Sequence, residues 1–309
     1  MAAPLSEDSR TKGDLTHEAF ALLPYGLFAV IILAAVAAVQ YCYPVAYIYF
    51  IHEDSVVENS TAIAFALAAV LLIWESWHPG HFLRRCLLIA VAAMAVFIAG
   101  EEISWGQRIF GIPTPEAARA VNIQGELNLH NLKRVYDLPK YKPLGAALLI
   151  GLAVSIALGP LQRRSDAAAI IRALPLLQPA LAPLILLTAW ILIFRPFVRS
   201  DELGELLFGL CLLAWASNLV LDGRANLHRL APAVGVGALA AVVLLGGGLA
   251  AAFPPKHPGL RLNITAKTFA EYGLYEQSEQ VFEYILAHPQ YVQPNTQTDY
   301  KALLDRRTP

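Results

Sequence analysis

The residues able to do chemistry concentrate in two short stretches. The first is Gly100-Glu101-Glu102-Ile103-Ser104-Trp105-Gly106-Gln107-Arg108, which follows an almost unbroken apolar run over 86–100. Continued as a helix, it puts Glu101, Ser104, Trp105 and Arg108 on one face, at i, i+3, i+4 and i+7. On that face Glu101 and Arg108 are expected to bridge. Glu102 points about 100° away, so the two carboxylates need not share a proton. Two readings stand side by side: a structural salt bridge at a helix end, or a site for a ligand, a proton or a metal.

The second stretch is Asn122-Ile123-Gln124-Gly125-Glu126-Leu127-Asn128-Leu129-His130-Asn131-Leu132. Amides, one acid and one imidazole alternate with apolar residues. Pro113 and Pro115 precede it, and Pro139 and Pro143 follow. It is too polar to span a bilayer. A re-entrant or interfacial element fits, because irregular backbone survives at membrane depth only where protein or water satisfies it. Folded back, it brings Glu126 and His130 over Glu101. Glu101 and His130 are then the candidate acid/base pair. Glu102, Ser104, Arg108, Gln124, Glu126, Asn128 and Asn131 are the candidate substrate contacts, with Glu53 and Asp54 beside them. His52 and His130 are the candidate metal ligands, but their spacing fits no metal motif, so no metal is assigned. No cofactor is implied. HExxH, GxSxG, Walker and GxGxxG motifs are absent, so whether the chain is an enzyme stays open.

The elements that hold these residues are apolar helices. Of 309 residues 57% are apolar and 15% charged, against roughly 45–50% and about 25% in soluble domains. Mean hydropathy is +0.51. A disordered chain, a disulfide scaffold and an ordinary soluble enzyme are excluded. Lys and Arg number 23 against 24 Asp and Glu, which excludes a basic nucleic-acid binder. Cys42, Cys86 and Cys211 have no CxxC spacing and read as small apolar residues. The expected fold is all-α, a polytopic transmembrane bundle of about seven spans: 22–43, 60–77, 86–105, 144–160, 174–194, 203–221 and 232–253. Pro175, Pro179 and Pro183 kink the fifth or delay its start to near Leu181. Residues 1–21 form a polar N-terminal tail, 22–253 the helical domain with an interfacial segment at 106–143, and 254–309 a soluble helical tail.

Seven spans put the chain ends on opposite sides. The short connections on the N-terminal side all carry Arg or Lys, while the first connection on the other side carries none. Basic short loops mark the cytoplasm. The N-terminus is therefore expected to be cytoplasmic and the C-terminus periplasmic, in a bacterial inner membrane. The acids gather at the outer edge: Glu53, Asp54 and Glu58, Glu101 and Glu102, Glu116, Glu126 and Asp137, then Asp201, Glu202 and Glu205. They form either a solvated rim or one convergent polar site. His78 and His81 lie on the opposite side and should not join it.

The Gly100–Arg108 and Gln124–Asn131 segments together resemble those of an uncharacterised group of bacterial multi-pass membrane proteins. That group carries a GEEISWGQR stretch followed by an N-x-Q-x-E-x-N-L-H-N stretch. The resemblance implies a membrane protein and brings no activity with it. Phe269–Pro289 resembles the second half of a tetratricopeptide repeat, through Gly273, Tyr275, Ser278, Phe282 and Pro289. One repeat cannot bury its own faces, so it must pack on the bundle, a protein partner or another copy.

These observations lead to an integral membrane protein whose outer polar site binds or processes an amphipathic or lipid-linked substrate. The alternatives are a non-catalytic subunit or assembly factor that docks a partner through its tail, and a proton-coupled transporter. The bilayer is the one partner the composition demands.

Overall fold

The computed structural model describes residues 7–52, 54–122, 126–129, 132, 140–222, 231–253 and 258–307. Among them it is all-helical, with one isolated antiparallel bridge between Asn122 and Leu132 and no strand. In chain order the helices are α1 (Glu7–Cys42), α2 (Pro44–Ile51), α3 (Val56–Ser76), α4 (Phe82–Glu102), α5 (Gln107–Phe110), α6 (Glu116–Val121) and α7 (Tyr141–Gln162). Then come α8 (Ala169–Ala173), α9 (Ala182–Phe194), α10 (Ser200–Asp222), α11 (Ala231–Ala252), α12 (Pro258–Glu271), α13 (Tyr275–Ala287) and α14 (Thr296–Arg307).

Six of the described runs are long and apolar enough to cross a membrane: Leu22–Cys42, Pro44–Ser76, Phe82–Glu102, Tyr141–Gln162, Ser200–Leu221 and Ala233–Ala252. The remaining expected span is shorter. Residues 174–178 are non-helical, Pro179–Leu181 make one 3-10 turn, and α9 holds 13 residues, roughly 20 Å. Three prolines remove backbone donors there, and the helix starts once they have passed. Two further departures concern α1 and α2. The helix α1 reaches back to Glu7, so the polar stretch before Leu22 is helical from that residue. A separate helix, α2, follows Tyr43, with Pro44 at its first position, where the missing N–H is not needed.

The core forms around α3 and α10. Phe65, Ala68, Ala69 and Leu72 repeat at helical spacing and are buried. They meet buried Leu206, Leu207, Leu210, Leu213 and Ala214 of α10. The outer helices turn apolar side chains outward: Val30 and Ile31 of α1 and Ile150 of α7 are 64% exposed, and Leu244 of α11 is 78% exposed. An apolar surface of that extent does not suit water. The close fit of α11 on α3 rests on Gly246, where a Cβ would stand 2.0 Å from Ser60 Oγ and 2.9 Å from the Val56 carbonyl.

Ion pairs draw several helix ends together. Lys140, just before α7, pairs with Glu205 of α10. Arg195, just after α9, pairs with Asp201 of α10. Arg261 of α12 reaches Asp54, just before α3. The tail packs on this end. The Tyr47 and Phe269 rings lie 6.2 Å apart, and Gln277 Nε2 donates to the Tyr41 carbonyl at 3.1 Å. Within the tail, α12 and α13 join through Gly273 at φ 74 and bury Phe269, Val281, Phe282 and Ile285. Thr296 Oγ1 donates to Asn263 Oδ1 at 2.7 Å and ties α14 to α12. The apolar faces of the hairpin are thus covered by α14 and by the chain's own bundle.

The Gly246 contact makes a prediction. Gly246→Val should lower the thermal midpoint of the detergent-solubilised protein, through overpacking of about 1–3 kcal/mol. Gly248→Ala, with no atom within 4 Å of its new Cβ, should leave the midpoint nearly unchanged.

Candidate functional site

The helix α4 stops at Glu102, and this overturns the continuous-helix geometry expected for 101–108. Ser104, Trp105 and Gly106 all have positive φ, at 47°, 54° and 78°. Three left-handed residues in succession reverse the chain, and Gln107–Phe110 then form one separate turn, α5. Glu101 and Arg108 therefore do not share a helix face. The cause is Gly100 together with Gly106. The Trp105 ring lies back over Gly100, where a Cβ would come within 2.8 Å of it. Only glycine leaves room for that ring.

In this position Trp105 Nε1 donates to Glu101 Oε1 at 2.7 Å, and the Leu129 backbone N–H donates to Glu101 Oε2 at 2.5 Å. Ser104 Oγ donates to Glu126 and accepts from Asn128 Nδ2 at 2.9 Å. Asn122 Nδ2 donates to the Asn128 carbonyl and to Asn128 Oδ1, at 2.9 and 2.8 Å. Gln107 Oε1 accepts from the Leu127 backbone N–H, and its Nε2 donates to Thr114 Oγ1 at 3.0 Å. The two motifs are thus stitched together. Glu101, Ser104, Glu126 and Asn128 meet in one network, which holds residues 126–129 against the end of α4. Both oxygens of Glu101 are engaged in that tether, which suits a structural anchor better than a general base.

Glu102 faces elsewhere. It is 9% exposed and lies close enough to Glu202, Glu205 and Lys140 for their charges to act on it. Around it, Lys140 Nζ stands 3.8 Å from Glu205, Arg199 2.6 Å from Glu202, and Arg195 3.3 Å from Asp201. The Tyr141 hydroxyl is in hydrogen-bonding reach of Glu205. Lys140 and Arg195 also lie over the Tyr141 ring, at 5.0 and 5.6 Å from its centre. These groups come from the starts of α7 and α10 and the connection after α9.

A third group continues the layer. Asp54, at φ 59, turns the chain between α2 and α3, and its backbone N–H donates to Glu58. Asn59 Nδ2 donates to the Asp54 and Ser55 carbonyls at 3.2 and 2.7 Å. Arg261 pairs with Asp54 at 3.0 Å with both side chains largely buried. A shallow surface cleft opens here, lined by Tyr49, His52, Ser55 and Arg261 among others. The charges of Arg199 and Arg261 both act on His52. Two guanidinium groups beside an imidazole make a poor place for a metal cation. Among the described residues no group of three His, Cys, Asp or Glu side chains is placed to hold one.

Of the residues singled out in the sequence, Glu53, Gln124, His130 and Asn131 lie outside the described residues, as does the Arg108 side chain. His78 and His81 sit at the far end of α3 with Glu75, Arg84 and Arg85, apart from this layer. Sequence reasoning passed over Lys140, Tyr141, Arg195, Arg199 and Arg261. The i, i+3 spacing of Arg199 and Glu202 was a signal within reach. Arg261 gave none, because its partner is 207 positions away.

The chain matches no protein-family model, no curated protein and no solved structure.

The tether makes its own prediction. Glu101→Gln replaces one acceptor oxygen with an N–H donor, leaving Trp105 Nε1 or the Leu129 N–H unmatched at about 1–3 kcal/mol. Trypsin should then cut at Arg119 faster than in the wild type. Unchanged cleavage would contradict the anchoring role.

Proposed function

We propose that this chain is a seven-helix multi-pass membrane protein that binds or processes an amphipathic, lipid-linked substrate through its headgroup. The single observation that carries this reading is the layer of ionisable groups at one end of an otherwise apolar bundle. Charged groups at membrane depth are costly and mark sites of function. Glu102, Glu205, Lys140 and Tyr141 supply the headgroup contacts, and the Glu101 network sets the loop beside them. The outward apolar faces of α1, α7 and α11 give a lipid-linked tail a surface to follow. The basic short connections support an N-terminus in the cytoplasm, with the polar layer and tail on the outer face of a bacterial inner membrane.

A second reading, a non-catalytic subunit or assembly factor, is favoured by the Glu101 carboxylate itself. Both its oxygens hold backbone and indole in place, as a structural element would.

Two measurements test the proposal. C-terminal fusions should give an active alkaline phosphatase and a dark green fluorescent protein; the reverse would overturn the orientation. Protein purified in mild detergent should retain one headgroup class of lipid. The variant Lys140→Gln/Glu205→Gln removes both charges of a pair, so it should fold and yet lose most of that lipid. Equal lipid content in the two proteins would favour the docking-subunit reading.

A further inference from the structure

The turn between α3 and α4 carries charges that the polar layer does not use. A shallow cleft there is lined by Glu75, Ser76, His78, His81, Arg84 and Arg85 among others. One acid stands against two arginines. Arg84 Nη2 donates to Glu75 Oε1 at 2.9 Å, so that pair is matched. Arg85 meets no carboxylate among the described residues. Its Nε donates instead to the Ser76 carbonyl at 3.0 Å, at the end of α3. Held by that bond, the guanidinium keeps both terminal amino groups open among the described residues, as a planar fork with a full positive charge. His81 adds a donor. Its Nδ1 accepts the Leu83 backbone N–H at 3.2 Å, so the ring proton stands on Nε2. His78 is engaged differently, with its Nδ1 donating to the Trp74 carbonyl at 3.2 Å.

The cleft therefore joins one surplus positive charge to N–H donors from Arg85 and His81. An anion with several acceptor oxygens fits it, and an arginine fork matches a phosphate with two parallel hydrogen bonds. The surroundings say where that phosphate comes from. Trp77 and Phe82 flank the turn and are 75% and 77% exposed, and Trp74 is half exposed. Aromatic side chains at the ends of membrane-spanning helices sit at headgroup level. A phosphate at that depth belongs to a lipid. Charge then selects the rest of the headgroup. The ammonium of a choline or ethanolamine headgroup would approach Arg84 and Arg85 as a like charge, whereas an uncharged glycerol would not.

We propose that the α3–α4 turn binds the phosphate of an anionic phospholipid, one of the phosphatidylglycerol type, in the leaflet that borders this end of α3. Arg85 grips the phosphate through its two terminal amino groups, His81 Nε2 donates a further hydrogen bond, and Trp77 and Phe82 hold the turn at headgroup depth. The site depends on α3 and α4 spanning the membrane. It is independent of the substrate layer at the other end of α3.

The test uses the full chain in dodecyl maltoside micelles, with native mass spectrometry to measure bound lipid. The probes are dioleoyl phosphatidylglycerol, dioleoyl phosphatidylcholine and glycerol phosphate, which has no acyl chain. The wild type should hold phosphatidylglycerol more tightly than phosphatidylcholine. Arg85→Gln should weaken phosphatidylglycerol binding roughly tenfold, and Arg85→Lys, which keeps the charge and loses the fork, should fall between. His81→Asn keeps an acceptor to cap α4, so it should fold as the wild type does and still bind the lipid several-fold more weakly. The same differences should persist in the Lys140→Gln/Glu205→Gln background, which removes the substrate contacts at the other end. Unchanged phosphatidylglycerol binding in Arg85→Gln and His81→Asn overturns the proposal, and so does the loss of these differences in that background. Phosphatidylcholine binding as tightly as phosphatidylglycerol overturns the headgroup assignment. Glycerol phosphate binding as tightly as phosphatidylglycerol overturns the lipid assignment and makes the ligand a soluble phosphate ester.

Discussion

A charged side chain at the end of an apolar bundle must find an opposite charge or a full set of hydrogen bonds. Most of this structure follows from that requirement. The helix starts and ends that carry acids are drawn to one end, and bases from distant parts of the chain come to meet them. Lys140 fixes the start of α7 against α10, and Arg195 fixes the end of α9 against the same helix. Arg261 fixes the tail over the break between α2 and α3. The apolar faces supply most of the packing area, but they are interchangeable in kind. The ion pairs are specific, and they set which helix end meets which.

The same requirement separates two neighbours in sequence. Glu101 and Glu102 are consecutive, yet one is saturated and the other is not. Glu101 meets an indole N–H and a backbone N–H, because three left-handed residues fold the chain back beneath it. Glu102, about 100° round the helix, looks toward α7 and α10 instead. One position of helical phase thus sends two neighbouring carboxylates to different surroundings.

The all-helical fold was legible in the sequence, because runs of about 20 apolar residues have few other solutions. The delayed start of α9 was legible in its prolines. So was the joining of the two motifs, through the interleaving of amides with apolar residues and the prolines around them. The break after Glu102 was not. A helix pattern carries no direct mark of a residue such as Trp105 at φ 54, and the clue, Gly100 and Gly106 flanking an aromatic residue, acquires meaning only when the ring is seen over Gly100. The charge partners were also hidden. Asp54 and Arg261 meet across 207 positions, and a single sequence holds no trace of such a pairing.

The claim that charge pairing at one end organises the molecule is tested most directly by a double-mutant cycle on Asp54 and Arg261. Asp54→Asn, Arg261→Gln and the double variant are unfolded by denaturant in micelles beside the wild-type protein. The account predicts that the second substitution costs much less once the first is present, with a coupling of about 1–3 kcal/mol between the sites. Simple additivity of the two single effects would contradict it.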